Sequence, residues 1–241
     1  MWPKYSSEEI NAVVKVLSSG KGNYWAGQEG KLFEKEFSKW SGAKYSVSVS
    51  NGTIALEAAL KSLDIGSQDE VIVTSRTYVA SASSISLIGA KPVFADVDLD
   101  SQNIDIESIK AAITKKTKAI ICVHLAGWPC DMNAIMEISK AYNIYVIEDC
   151  AQAHGAKFNN KSVGIFGHVG AWSFCQDKII STGGEGGMIT TSSKKILKKI
   201  LSYRDHGRDF DIDTNNNNKF QWIRGSIGTN ARLTEMQSAI G

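Results

Sequence analysis

The 241-residue sequence lacks the charge imbalance and the long apolar runs that mark two broad classes of protein. Its 27 Lys and Arg residues nearly balance 25 Asp and Glu residues, which leaves a net charge of +2. A protein that binds nucleic acid through a basic surface usually carries a larger excess of positive charge. Uncharged runs such as residues 77–90 are far shorter than the roughly 20 residues that a membrane-spanning helix needs. We therefore expect no nucleic-acid partner and no membrane span.

Cysteine is also scarce. The four cysteines, Cys122, Cys130, Cys150 and Cys175, form no CxxC pair and fall in or beside apolar segments that predict buried strands. This distribution favours reduced, buried thiols over a disulfide framework and predicts a cytoplasmic protein. Residues 1–4 lead directly into a polar helical pattern, which is not typical of a signal peptide.

Several binding and catalytic motifs are missing. The four histidines, at positions 124, 154, 168 and 206, are too far apart for metal-ligand spacing, and we expect no metal site. The glycine-rich residues 183–187 match neither a Walker loop nor a dinucleotide-binding fingerprint. A GxSxG nucleophile elbow is also absent, which argues against a serine hydrolase.

The patterns that are present alternate between helix and strand. Ser6 and Glu9 have capping-box spacing and begin a helix, with Ile10, Val13, Val14 and Leu17 on one apolar face. From a strand at 45–49 onward, further strands are predicted at 71–73, 92–97, 119–125 and 144–147, and helices at 55–63, 80–88, 104–113 and 132–142.

Strands that consist of short, continuous apolar runs are typical of sheets covered by helices on both faces. Their alternation with helices predicts an α/β fold with a mostly parallel, doubly wound sheet. In such sheets ligands bind outside the carboxyl ends of the strands. The asparagine-rich segment at 209–219 predicts an exposed loop.

Two predicted strand ends carry candidate binding groups. Asn51-Gly52-Thr53 begins a helix, where small residues and unpaired N–H groups favour an anion. A glycine turn with Thr53 as the helix cap is an equally good interpretation. Asp149 follows the strand at 144–147 and has the charge to keep a heteroaromatic nitrogen protonated. The alternative is that Asp149 caps the following turn.

A third strand end lies in residues 170–187, where an apolar strand is followed by Lys178 and a glycine-rich loop. Desolvation of such a lysine lowers its amine pKa and favours a Schiff base with a carbonyl group. Taken alone, the segment fits a surface lysine in a hairpin loop better.

Together these segments resemble the DegT/StrS family of sugar aminotransferases, which depend on pyridoxal 5'-phosphate (PLP) and share the fold of aspartate aminotransferase. The resemblance runs nearly end to end and is specific because its motifs occur together in one order: Ser50-Asn51-Gly52-Thr53, Thr77-Tyr78-Val79, 148–156, 173–178, 184–187 and 228–234. It implies the large domain of PLP transferase fold type I.

The resemblance also implies roles for single residues. Lys178 holds the cofactor as a Schiff base and moves a proton between cofactor and substrate. Asp149 pairs with the pyridine nitrogen, so that the ring works as an electron sink. The other implied cofactor contacts are Gln152 at the ring hydroxyl, Tyr78 stacked on the ring, and Gly52, Thr53 and Ser173 at the phosphate.

His154 and Glu185 lie in the family's motifs and are expected near the substrate. In related dehydratases a histidine replaces the Schiff-base lysine, so the presence of Lys178 favours transamination. The implied reaction moves an amino group from an amino acid, with glutamate as the expected donor, to a keto-sugar nucleotide. A keto-cyclitol is the alternative substrate.

Two features of the resemblance concern assembly. Asn230 matches an asparagine that reaches the cofactor phosphate of the neighbouring subunit, which implies a homodimer. Family members continue past the positions that match 237–241 into a smaller C-terminal domain. We therefore expect residues 1–241 to form the PLP-binding large domain without that small domain. A cofactor-binding remnant without activity is the second hypothesis.

Overall fold

The computed structural model describes residues 2–210 and 223–241 and has a seven-stranded sheet at its centre. The strands are β1 (Tyr45–Val49), β2 (Glu70–Thr74), β3 (Lys91–Ala95), β4 (Thr117–Val123), β5 (Tyr145–Asp149), β6 (Lys157–Phe158), β7 (Lys161–Ser162), β8 (Val169–Ser173) and β9 (Gly187–Thr191). The α-helices are α1 (Ser7–Ser19), α2 (Glu29–Ser41), α3 (Gly52–Ser62), α4 (Ala80–Leu87), α5 (Ile106–Ala112), α6 (Met132–Tyr142), α7 (Lys194–Arg204) and α8 (Glu235–Ile240).

The order of strands in the large sheet is β1-β9-β8-β5-β4-β2-β3, and β6 pairs with β7 in a separate hairpin. Neighbours from β8 to β3 are parallel, whereas β9 runs antiparallel to both β8 and β1. The predicted α/β fold with a mostly parallel sheet is therefore confirmed.

Helices cover both faces of the sheet. Successive residues of a strand point to opposite sides, so each strand contributes side chains to the cores on both faces. On β5, Ile147 belongs to the apolar core shared with α3, α4 and α7, and Val146 belongs to the core shared with α5 and α6. A third, aromatic cluster joins α2 to β8 through Phe37 and Trp172, whose rings lie 5.2 Å apart.

Helix boundaries follow the capping signals in the sequence. The Ser6–Glu9 capping box begins α1, and Gly20 ends it in the left-handed conformation at φ 67°. The predicted helix at 132–142 is confirmed. The predicted helix at 104–113 is shorter, because the Asp105 side chain accepts from the Ser108 N–H and starts α5 only at Ile106.

The apolar face predicted for α1 differs from the one that the helix buries. Ile10, Val14 and Leu17 are more than half exposed, whereas Val16 is 6% exposed. Apolar residues occur on both sides of this helix, and contact with α8 decides which side is covered. Of the asparagine-rich segment, residues 211–219 lie outside the described part of the chain. None of the described helices has the length and hydrophobicity needed to cross a membrane.

Candidate functional site

A cavity of about 400 Å³ opens where β5 and β8 end and α3 begins. This position agrees with the expectation for doubly wound sheets. Eight of the ten residues predicted for the site line the cavity: Gly52, Thr53, Tyr78, Asp149, Gln152, Ser173, Lys178 and Glu185. They come from five separate segments of the chain, which only the fold brings together.

The N-terminus of α3 forms one wall of the cavity. Asn51 is the N-cap, and its side-chain oxygen accepts from the Ile54 N–H at 2.9 Å. The first N–H groups of a helix have no partner within the helix, and the helix dipole favours negative charge beside them. A Cβ atom at Gly52 would lie 2.6 Å from Ser173 Cβ. Glycine is thus required here, because β8 and the start of α3 approach each other so closely.

Asp149 lies at the floor of the cavity and is 6% exposed. Its Oδ2 accepts from the Ser81 hydroxyl at 2.7 Å, and its Oδ1 accepts from the Ala151 N–H at 3.1 Å. Burial raises the pKa of this carboxyl, and the two hydrogen bonds act in the opposite direction. Among the described residues no cation forms an ion pair with it. The site therefore has a buried carboxylate that a bound cation would stabilise.

Lys178 lies in the loop between β8 and β9, five positions beyond the end of β8. Its side chain is 17% exposed, and its Nζ lies 3.6 Å from Asp177 Oδ2 and 6.0 Å from the centroid of the Tyr78 ring. The Tyr78 ring is mostly exposed and stands at the mouth of the cavity. The structure thus places a primary amine and an aromatic ring on the same cavity as Asp149.

Gln152 and Glu185 occupy the rim. Gln152 Oε1 accepts from the Ala126 N–H at 2.8 Å, which fixes the side chain at the edge of the cavity. Glu185 is exposed and lies in the glycine-rich loop, with Oε1 3.9 Å from Cys175 Sγ.

His154 and Asn230 are the two predicted residues outside the lining of the cavity. His154 is 8% exposed and lies beside the rings of Trp172 and Phe174, at 5.5 and 5.7 Å. Among the residues that the structure describes, neither of its ring nitrogens has a hydrogen-bond partner. Burial, together with the charge of Lys178, lowers the pKa of His154 to about 4. Asn230 is exposed on the segment that precedes α8.

Sequence reasoning missed two polar groups around Asp149. Ser81 is fully buried in α4, and its hydroxyl also lies 2.8 Å from Thr77 Oγ1. Glu148 is fully buried on the other face of β5. Neither residue could be recognised from the sequence, because serine is frequent in this helix and a carboxylate next to Asp149 gives no separate signal.

Both oxygens of the Glu148 carboxylate form hydrogen bonds with other groups of the chain. Oε1 accepts from the Phe166 and Gly167 N–H groups at 2.8 and 2.6 Å, and Oε2 accepts from the Gly164 N–H at 2.7 Å. His124 Nε2 lies 3.1 Å from Oε2, and the Cys130 N–H donates to His124 Nδ1. His124, Glu148 and Cys150 have ligand atoms close enough together to hold a metal. Hydrogen bonding accounts for the positions of His124 and Glu148 without one.

Comparison with known proteins agrees with this geometry. The model of the DegT/DnrJ/EryC1/StrS aminotransferase family matches residues 3–241. GDP-perosamine synthase from Escherichia coli O157:H7 is 42% identical over 99% of this chain and 63% of that protein. A dTDP-3-amino-3,6-dideoxy-alpha-D-galactopyranose transaminase from Aneurinibacillus thermoaerophilus is 43% identical over 98% of this chain and 62% of that protein.

Solved structures give the same result. An aminotransferase from Psychrobacter cryohalolentis superimposes with a TM-score of 0.97 at 54% identity, over 100% of this chain and 61% of that one. A 3-amino-5-hydroxybenzoic acid synthase superimposes with a TM-score of 0.91 at 34% identity, over 100% and 61%. The chain spans about three fifths of the length of these proteins. It has the large-domain architecture of fold type I aminotransferases and belongs to the DegT/DnrJ/EryC1/StrS aminotransferase family.

Proposed function

We propose that this chain binds PLP and forms the cofactor-binding part of an aminotransferase that moves an amino group from an amino acid to a keto-sugar nucleotide. The observation that carries the proposal is the single cavity that holds the amine of Lys178, the buried carboxylate of Asp149 and the N-terminus of α3. The family consists of aminotransferases of the PLP-dependent kind, and the GDP-linked and dTDP-linked names of two relatives support a nucleotide sugar.

The chemistry of these three groups fits PLP. Its phosphate suits the N–H groups of Gly52 and Thr53 and the hydroxyl of Ser173, since a helix N-terminus favours an anion. Its protonated pyridine nitrogen is the kind of cation that would stabilise the buried Asp149 carboxylate, which forms no ion pair with a described residue. Lys178 supplies the primary amine that would hold the cofactor through its aldehyde group.

Each residue would then have a defined task. When bound, PLP supplies an electron sink for the carbon that gains or loses the amino group. Asp149 holds a proton on the pyridine nitrogen, and Ser81 fixes the orientation of that carboxylate. Tyr78 covers one face of the ring and reduces the access of water. Gln152 binds the ring hydroxyl. Lys178 Nζ would carry the proton between the substrate carbon and the cofactor.

The finer points of the proposal concern substrates and assembly. We assign glutamate as donor, a keto-sugar nucleotide as acceptor, and Glu185 and His154 to the surroundings of the substrate.

Asn230 is exposed and lies away from the cavity of its own chain, which supports a homodimer in which it contacts the cofactor phosphate of the neighbouring subunit. The chain holds the cavity and matches about three fifths of the length of its relatives, which supports residues 1–241 as the PLP-binding large domain. Four free cysteines, three of them buried, support a cytoplasmic location.

The test is spectroscopic. Purified chain incubated with PLP and then freed of unbound PLP is expected to be yellow and to lose that colour on addition of glutamate. Lys178→Ala is expected to bind no coloured form, and Lys157→Ala, which changes an exposed lysine on β6, is expected to behave as wild type. A wild-type chain that stays colourless with added PLP would contradict the proposal.

Two outcomes separate the alternatives. A colour that forms but is never lost with any amino donor would favour a cofactor-binding remnant without activity. If the colour is lost with glutamate, the pyridoxamine form can be mixed with a panel of GDP-, dTDP- and UDP-linked keto-sugars and a keto-cyclitol. Return of the yellow form identifies the acceptor class, and return with the keto-cyclitol alone would contradict the nucleotide-sugar assignment.

A further inference from the structure

A short N-terminal segment, residues 2–5, lies against the loop that carries Lys178. The indole N–H of Trp2 donates to the backbone carbonyl of Lys178 at 3.2 Å. The hydroxyl of Tyr5 lies 3.1 Å from Ser181 Oγ and accepts from the Gly183 N–H at 3.1 Å. Three hydrogen bonds thus connect the two segments, although about 176 positions separate them in sequence.

The lysine loop has few other polar connections. Residues 174–186 contain no helix or strand. Internal hydrogen bonds join the two ends of the loop, from Phe174 to Gly186 and from Gln176 to Gly184, and the Lys178 N–H donates to the Cys175 carbonyl at 3.0 Å. Within the described chain, the hydrogen bonds that join residues 178–181 to another segment are those with Trp2 and Tyr5. Ile180 adds an apolar contact to the aromatic core cluster. Among the described residues, the N-terminal segment is therefore the polar connection between the loop tip and the rest of the protein.

We propose that residues 2–5 form a strap that positions Lys178, with Trp2 and Tyr5 as positioning residues. Neither side chain lines the cavity, so each acts through the loop backbone. Trp2 fixes the carbonyl of Lys178 itself, and Tyr5 fixes the loop at Ser181 and Gly183. The inference rests on the proposed role of Lys178. Its physical reason is that the reactivity of a catalytic group falls steeply when the group leaves its productive position.

The first test needs no cofactor. Tyr5→Phe and Trp2→Phe keep an aromatic ring and remove only the polar atom, and Tyr142→Phe, a half-exposed residue at the end of α6, is the matched control. Hydrogen exchange of the chain without PLP is expected to be about 2- to 10-fold faster at the Gly183 amide in Tyr5→Phe, the loss that one hydrogen bond gives. Trp2→Phe is expected to raise exchange at residues 178–181.

The second test uses the chain with PLP. Both variants are expected to bleach with glutamate about 2- to 10-fold more slowly, at an unchanged half-saturating glutamate concentration, because they displace the amine and not the donor. Urea unfolding midpoints close to wild type show that the fold is retained.

The outcomes separate this inference from the proposed function. If the wild-type chain never becomes yellow, the proposed function fails, and the exchange measurement still decides whether the strap exists. Exchange at residues 178–183 equal to that of Tyr142→Phe overturns the strap. Faster exchange with an unchanged rate of bleaching overturns its positioning role.

Discussion

The two faces of β5 end in adjacent buried carboxylates that differ in the number of hydrogen bonds they receive from the fold. Glu148 lies on the opposite face of β5 from Asp149 and makes four hydrogen bonds, with His124 and with the backbone of residues 164–167. Asp149 points into the cavity and receives two. A buried carboxylate whose oxygens already accept hydrogen bonds from several parts of the chain holds loops in place. A buried carboxylate whose oxygens can accept further hydrogen bonds can bind a ligand. Burial alone does not distinguish the two roles.

The largest expected effect comes from removing the charge of Asp149. In Asp149→Asn the chain cannot hold the proton on the pyridine nitrogen, and the rate of bleaching by glutamate is expected to fall about 10²- to 10³-fold. The free energy of unfolding without PLP is expected to change by less than about 1 kcal/mol, because the fold makes few bonds to this group. Stopped-flow absorbance and urea denaturation measure the two quantities. If Asp149→Asn bleached at the wild-type rate, Asp149 would have no part in catalysis.

Glu148→Gln tests the other side of the comparison. The amide group of glutamine would face backbone N–H groups at residues 164–167 and leave at least one buried donor without a partner. We expect the free energy of unfolding to fall by about 2 to 4 kcal/mol. The control Glu107→Gln, in an exposed pair with Lys110, is expected to cost less than about 1 kcal/mol. Equal unfolding free energies for the two variants would contradict a structural role for Glu148.

His154 extends the comparison, since within the described part of the chain its buried ring nitrogens have no hydrogen-bond partner and its side chain does not line the cavity. Its pKa is about 4 when folded, against an ordinary value of 6.5. Below pH 6.5 His154 becomes protonated in the unfolded chain, whereas in the folded chain it stays neutral until near pH 4. Acidification therefore favours unfolding.

Between pH 7 and pH 4.5, wild type is therefore expected to lose about 2 to 3 kcal/mol more stability than His154→Phe, which has no group to protonate there. Urea unfolding at the two pH values measures the difference. A parallel loss of stability in both proteins would show that His154 is protonated in the folded state as easily as in the unfolded state.

The smallest expected effect concerns Ser81, which supplies one of the two bonds to Asp149. Ser81→Ala is expected to slow bleaching by about 3- to 10-fold, the contribution of one hydrogen bond, without loss of the colour itself. Ser83→Ala, on the same helix, is the matched control. A rate equal to that of Ser83→Ala would show that the Ala151 N–H alone orients the carboxylate.

Much of the fold could be predicted from the sequence, because its signals are local. Apolar runs of strand length identified β2 to β5, and the capping box of Ser6 and Glu9 set the start of α1. The place of β9 between β1 and β8 was not predicted, since strand order depends on which segments meet in space. The buried side of α1 was missed for the same reason.

The candidate site could likewise be predicted only in part from the sequence. Gly52, Thr53, Asp149 and Lys178 were identified from strand ends and from the family resemblance, and the structure places them on one cavity. Ser81 and the strap formed by residues 2–5 carry no sequence signal, because each matters only through a partner that is remote in sequence. The assignment of His154 to the substrate stays a prediction, and the structure places its ring among Trp172 and Phe174.

The sequence by itself determined the α/β class, the family and the set of reactive groups, since these depend on residue types and on their order along the chain. The tertiary structure decided which of two neighbouring carboxylates is open to a ligand and which is closed. The physical reason is that successive residues of a strand face opposite sides, and only the packing of loops and helices on each side sets the number of donors that reach each carboxylate.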